Sequence, residues 1–313
     1  MIDLVSPRVA LGEALCEIGA YSEDLVVIDT DVRPASSLDE FYRLYPGKFI
    51  QGGIAEQNAM CIAGGISTTG MIPFYVSFGM FTGHRAGEQL YTSIGYAQAN
   101  AKIVGTYTGF CGVKNGVTHQ PIADTAFIKA IPGMTLLEPA DAVEVKQAIK
   151  AAYDFKGPVY IRLGRDPIPV IFDERHRFEI GKGYTVLDGR DLTIISTGIM
   201  LSYAIKAAET LKMQNISVCV VHMPTIKPID REIIIKAAVE TGAILTVENS
   251  NISGGFGSAV TEVVCEEHPI PVLRYGIRDV FGESGYFDEL AEKYGFGVKD
   301  LVEGAKALLL KKR

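Results

Sequence analysis

Lys48-Phe49-Ile50-Gln51-Gly52-Gly53-Ile54-Ala55-Glu56-Gln57-Asn58-Ala59-Met60 is a short apolar strand that runs out into two glycines and then enters a run of small residues ending near Gly70. Ile62, Ala63 and Ile66 share one helical face in that run, so the pattern is strand, glycine turn, helix. Glu56 therefore falls in the first helical turn, where the helix dipole favours a carboxylate. Taken alone, this makes Glu56 an ordinary helix N-terminal acid. The rest of the chain gives it a second meaning.

Working outward, the same alternation repeats. Residues 25–28, 72–76, 102–105, 134–137 and 159–161 read as buried strands, and 36–45, 81–96 and 142–153 as amphipathic helices. Strands alternating with helices give βαβ units and a parallel sheet. A polar, glycine-bearing stretch between Asp173 and Asp191 marks a domain boundary. Beyond it, strands at 192–196, 217–221, 244–247 and 272–273 alternate with helices at 202–212, 230–239 and 257–266, and two more helices fill 286–312. The expectation is α/β, two doubly wound domains, residues 1–178 and 188–313. Such sheets place ligands at the carboxyl ends of their strands.

The bulk numbers narrow the function classes. A chain of 313 residues, 48% apolar and 21% charged, can form two ordinary globular cores. Its net charge of −7 argues against nucleic acid and anionic membrane surfaces as partners. Five cysteines without a CxxC pair, most of them in apolar runs, suggest buried free thiols in a reducing compartment. No apolar run approaches the roughly 20 residues of a membrane span, and no secretory signal is read. The expected location is the cytoplasm.

Three further stretches carry candidate chemistry. Phe78 and Phe81 lie three apart after a strand, where they either grip a flat ring or fill the core. The long polar loop Tyr107–Pro121 contains His119, a surface histidine or an acid–base group. Arg162 and Arg165 end a strand, as surface residues or as a two-point clamp for an anion. In the second half, Asn251 to Ser258 precedes a helix whose N-terminus could hold a phosphate, although close packing through its glycines is the simpler reading.

In this order these pieces resemble the transketolase family of thiamine diphosphate enzymes. Residues 53–60 (GIAEQNAM) resemble the segment carrying the cofactor-activating glutamate, and 77–81 (SFGMF) the aromatics that stack on the aminopyrimidine. Residues 116–122 (GVTHQPI) resemble the active-site histidine loop, and Leu163-Gly164-Arg165 the arginine that grips the substrate phosphate. Residues 253–260 and 279–285 resemble the family's C-terminal domain. The resemblance implies a pyrimidine-binding domain followed by a transketolase C-terminal domain. It implies catalytic roles for Glu56 and His119, and cofactor contacts from Asp31, Glu56, Phe78, Phe81 and His84. Tyr107, Asn115, His119 and Arg165 would face the substrate.

The family's diphosphate-binding module carries a Gly-Asp-Gly that this chain lacks. The resemblance is thus to the second subunit of a split transketolase. Its partner would be an N-terminal subunit holding the diphosphate and Mg²⁺, with no metal ligand on this chain and a heterotetramer as the assembly. Tyr107, Asn115 and His84 stand where the family usually has histidine, aspartate and tyrosine. With Lys114 and Arg33 nearby, these replacements suggest an unusual donor, a ketose phosphate other than xylulose phosphate or a sulfonated ketose. A 2-oxoacid dehydrogenase β subunit, a deoxyxylulose-phosphate synthase and a non-catalytic scaffold are the rival readings.

Overall fold

The computed structural model describes residues 3–312. The first half runs β1 (Leu4–Val5), α1 (Pro7–Gly19), β2 (Leu25–Asp29), α2 (Asp39–Leu44), β3 (Phe49–Gln51), α3 (Glu56–Ser67), β4 (Ile72–Phe78), α4 (Gly87–Gln89), β5 (Lys102–Thr106), α5 (Asp124–Ala130), β6 (Thr135–Leu137), α6 (Ala142–Asp154), β7 (Val159–Leu163) and β8 (Ile168–Pro169). The second runs β9 (Tyr184–Leu187), β10 (Leu192–Ser196), α7 (Met200–Lys212), β11 (Val218–His222), β12 (Thr225–Lys227), α8 (Arg231–Thr241), β13 (Ile244–Asn251), α9 (Phe256–Glu267), β14 (Val272–Ile277), α10 (Phe287–Lys293) and α11 (Val298–Leu309).

Every residue of β2, β5 and β7 is buried, which explains why these strands read as apolar runs without alternation. They belong to a seven-stranded sheet of order β12-β6-β7-β5-β4-β2-β3. All its neighbours are parallel except the edge strand β12, which crosses from the second half and pairs antiparallel with β6. The second sheet has the order β14-β13-β10-β11-β9, parallel but for β9. The short β1 and β8 form an antiparallel pair of their own. One apolar cluster joins the two halves, with Ile28, Tyr75 and Ile103 packed in the same core as Ile195, Val221 and Ile226.

Asp141 shows how a single polar side chain fixes the start of the connection. One oxygen caps α6 by accepting the Glu144 amide at 2.9 Å, and the other accepts the amides of Ile171 and Phe172 at 2.6 and 2.7 Å. Chain direction in the first sheet diverges between β2 and β4. From β2 the chain goes out to the edge strand β3, and from β4 it goes the other way to β5, so the carboxyl ends of β2 and β4 flank a topological switch point.

Three details differ from expectation, and at α9 the simpler of the two readings holds. The helix expected over 81–96 is two π-helical stretches, Phe81–Arg85 and Leu90–Tyr96, with α4 between them. The N-terminus of α9 is closed to phosphate, because the buried Glu248 carboxylate accepts the amides of Phe256 and Gly257 at 2.7 and 2.8 Å. All five cysteines are free, but only Cys111 and Cys219 are buried, while Cys61 and Cys265 are exposed. Neither β9 nor β12 is anticipated, since each owes its strand form to pairing rather than to an apolar run. Among the described residues, no helix is long and apolar enough to cross a membrane.

Candidate active site

Glu56 opens α3 beside the switch point. The chain reaches it through a tight turn in which the Gly52 amide donates to the Asp29 carbonyl at 2.7 Å and Gly53 takes a left-handed φ of 67°. The Glu56 side chain is only 3% exposed, and its Oε1 accepts from Arg85 Nη1 at 2.7 Å. The Arg85 guanidinium lies 3.9 Å from the centroid of Phe81. Arg85 is not singled out in the sequence, where the resemblance points to His84. The fourth residue after Phe81 lies on the same face of the turn, and pairing with Glu56 holds its guanidinium over the ring. His84 itself is exposed, and its side chain makes no hydrogen bond, ion pair or ring contact among the described residues.

Four rings cluster next to that pair. Phe78 ends β4, nearly buried, with its centroid 5.6 Å from Phe81, 4.3 Å from Tyr107 and 5.5 Å from His119. His119 meets Phe81 edge-on at 5.2 Å, and its Nδ1 is 2.9 Å from Thr118 Oγ1. Burial, helped by the Arg85 charge, holds the His119 imidazole below the usual histidine range. At neutral pH it is thus mainly neutral and able both to donate and to accept a proton.

An anion-seeking corner lies on the other side of Tyr107. Tyr107 follows β5 in a left-handed conformation, φ 61°, a strained backbone for a tyrosine. Arg8 and Arg165 each place a guanidinium carbon 5.4 Å from its ring centroid. Arg8 Nε donates to the Arg165 carbonyl at 2.9 Å, and its Nη1 donates to the Ala35 carbonyl and lies 3.4 Å from Tyr107 Oη. Burial, with Arg165 close by, lowers the affinity of Arg8 for its proton. Arg165 Nη1 already donates to Asp166 at 3.0 Å, but its Nε is buried with no partner. Two cations brought together with an unfilled N–H form a corner that an anion would stabilise.

Arg8, like Arg85, is a residue that sequence reading missed, and Arg162 is one it over-read. Arg162 sits fully buried in β7, donating to Asp124 at 2.9 and 3.2 Å, to Glu138 at 2.6 Å and to the Asn249 carbonyl at 3.1 Å. It cannot form a clamp with Arg165. The second cation of the corner comes from the start of α1 instead.

Asp31 follows β2, exposed and with φ 63°, its amide donating to Gln51 Oε1 at 3.0 Å. Asn115 and Lys114 are exposed at the end of the 3₁₀ turn Gly109–Asn115. Arg33 is turned away, paired with Asp39 at 2.7 Å and lying 4.3 Å over Tyr42. The loop is held from the second half. Asn249 accepts the Phe110 amide at 2.9 Å and donates to the Thr108 carbonyl at 3.1 Å, while Gln120 donates to the Glu283 carbonyl at 2.9 Å. Gly109 has to be glycine, since a Cβ there would stand 2.2 Å from the Asn249 carbonyl oxygen. Among the described residues, no group of three or more His, Cys, Asp or Glu side chains is placed to hold a metal ion.

Residues 4–169 match the pyrimidine binding domain of transketolase, and residues 181–301 match the transketolase C-terminal domain. The chain belongs to the transketolase family, which implies dependence on thiamine diphosphate. More narrowly, it is a transketolase-type enzyme subunit. It is 40% identical over 293 residues to the 6-deoxy-6-sulfo-D-fructose transketolase subunit SqwH of Clostridium sp. (strain MSTE9), covering 94% of this chain and 91% of that one. It is 34% identical to one of the subunits of the apulose-4-phosphate transketolase of Phocaeicola vulgatus, covering 97% of each chain. Against mouse transketolase, 32% identity covers 99% of this chain but only 50% of the other. Among solved structures, a split gene transketolase described as an inactive beta4 tetramer superimposes with a TM-score of 0.93 at 42% identity, covering 99% of this chain and all of that one.

Proposed function

We propose that this chain supplies the aminopyrimidine-activating half of a two-subunit transketolase, which moves a two-carbon ketol unit from a ketose to an aldose. The carrying observation is that Glu56, Phe78, Phe81 and His119 meet at the switch point, with Arg8 and Arg165 grouped around Tyr107 beside them. The residues suit a flat nitrogenous ring, because a buried carboxylate lies behind an aromatic wall. When bound, thiamine diphosphate supplies the carbanion and the electron sink.

Each side chain then has a defined task. Glu56 would hold the pyrimidine ring nitrogen through a shared proton when the cofactor is bound. Phe78 and Phe81 keep the ring flat and exclude water, strengthening the contact to Glu56. Neutral His119 binds a sugar hydroxyl or carries its proton. Arg165 and Arg8 hold the anionic end of the sugar. Asp31, His84 and Asn115 stand at the rim, within the reach of a cofactor or substrate that enters there.

The diphosphate and Mg²⁺ belong to the partner subunit in this reading, and the assembly is a cytoplasmic heterotetramer. Relatives matched over nearly their full length are themselves named as subunits, which supports a partner. The boundary between pyrimidine-binding and C-terminal domains is placed between residues 178 and 188. The replacements at Tyr107, Asn115 and His84, together with the sulfofructose relative, favour a donor other than xylulose phosphate, with phosphate or sulfonate at its end. Glu56→Gln in the two-subunit complex is expected to cost about 10²-fold or more in rate and to slow hydrogen exchange at the cofactor C2 in parallel. Unchanged exchange would assign the activation to another residue. A panel of ketose phosphates and sulfonates with one aldose tests the donor, and a highest kcat/KM for xylulose 5-phosphate would remove that part of the reading.

A further inference from the structure

The Arg85 guanidinium makes two contacts, and both are of the kind a flat nitrogenous ring would make in the same crevice. It donates an N–H to Glu56 and lies over the face of Phe81. We propose that Arg85 is a placeholder for the aminopyrimidine: it fills that place in the free chain and swings out when the ring enters. This rests on the reading that Glu56 and Phe81 receive the ring.

Three observations carry the idea. Glu56 is almost fully buried, and Arg85 is its only side-chain hydrogen-bond partner among the described residues. A buried carboxylate without a partner is costly, so the open crevice needs a temporary cation. The guanidinium is planar and weakly hydrated, which suits it to stacking on an aromatic face as well as to pairing with a carboxylate. Phe78 and His119 already pack around Phe81, which leaves little room for a second flat group beside the guanidinium. Finally, the Arg85 side chain is 47% exposed and ends the π-helical turn Phe81–Arg85, with Glu56 its only ion-pair partner among the described residues. The pair with Glu56 and the stack on Phe81 are thus what hold it in the crevice.

Calorimetry of the complex with its partner subunit, using thiamine diphosphate and Mg²⁺, tests this. An apparent affinity is reduced by the fraction of molecules that is binding-competent. If the closed form holds about nine chains in ten, Arg85→Ala tightens binding about tenfold. Arg85→Lys, which keeps the charge but loses the plane, falls between that variant and the wild type. In the wild type, the ¹⁵Nε signal of Arg85, assigned by its loss in Arg85→Ala, should change from a protected to a freely exchanging group at cofactor saturation. Equal or weaker binding by Arg85→Ala, or an unchanged Arg85 signal at saturation, overturns the placeholder. The parent reading stands in that event if C2 exchange still depends on Glu56. Absence of any cofactor uptake by the complex would remove both.

Discussion

Arg85 and Arg162 are both arginines paired with carboxylates of the first half of the chain, and they behave in opposite ways. Arg162 is sealed between the two halves, with Asp124, Glu138 and the Asn249 carbonyl around it. Arg85 is half in solvent, with one carboxylate and one ring. Full burial makes the cost of rearranging Arg162 prohibitive, because each partner would be left charged and unpaired. Partial exposure lets water solvate the Arg85 guanidinium once it leaves, and only the buried Glu56 then needs a new partner, which an incoming ring supplies. The buried network therefore holds the architecture, and the open pair is free to serve a ligand.

Substitution at the sealed pair should give the largest effect. Arg162→Met leaves Asp124 and Glu138 buried without their cation and is expected to cost about 3–5 kcal/mol of stability. Urea unfolding of the full chain measures this, and a loss under about 1 kcal/mol would show that water reaches the network and that the contrast with Arg85 is overstated.

A second buried carboxylate sharpens the comparison through pH. Burial pushes Glu144 up, but the His222 charge and hydrogen bonds from His222, His176 and the Ala140 amide outweigh it and hold the group at about 2, below its ordinary 4.5. A carboxylate with a depressed folded value contributes stability above its unfolded value and loses it as pH falls through the folded one. The contribution, on the order of 3 kcal/mol, is thus complete above about pH 4.5 and fades toward pH 2. Denaturant midpoints of wild type and Glu144→Gln should diverge at about pH 6 and converge on acidification. A gap independent of pH would mean that the histidines do not stabilise the carboxylate.

The smallest effect belongs to the open corner. Arg8→Lys keeps the charge but loses the fork, and should raise KM for an anionic ketose about tenfold with kcat little changed. Stability should move by no more than about 1.5 kcal/mol, the scale of one lost hydrogen bond. If stability falls instead and KM holds, Arg8 belongs with Arg162 as an architectural residue.

Local pattern made much of this protein readable in its sequence. Buried parallel strands are apolar runs, so β2, β5, β7 and β10 stand out, and the glycine turn before Glu56 places that carboxylate on a helix N-terminus whatever the rest of the chain does. The motifs around Phe78, His119 and Arg165 are equally local. What the sequence left open depended on partners far along the chain. β12 is a strand only because β6 offers an edge, and Arg8 joins Arg165 only because α1 begins beside the loop after β7. Arg162 and Arg165 look alike in sequence, yet one lies inside β7 and the other beyond its end, so burial and not residue type separated structure from site. The exchange of His84 for Arg85 depended on Glu56 across the crevice, because the third and fourth residues after Phe81 share one helical face and only a partner distant in sequence selects between them.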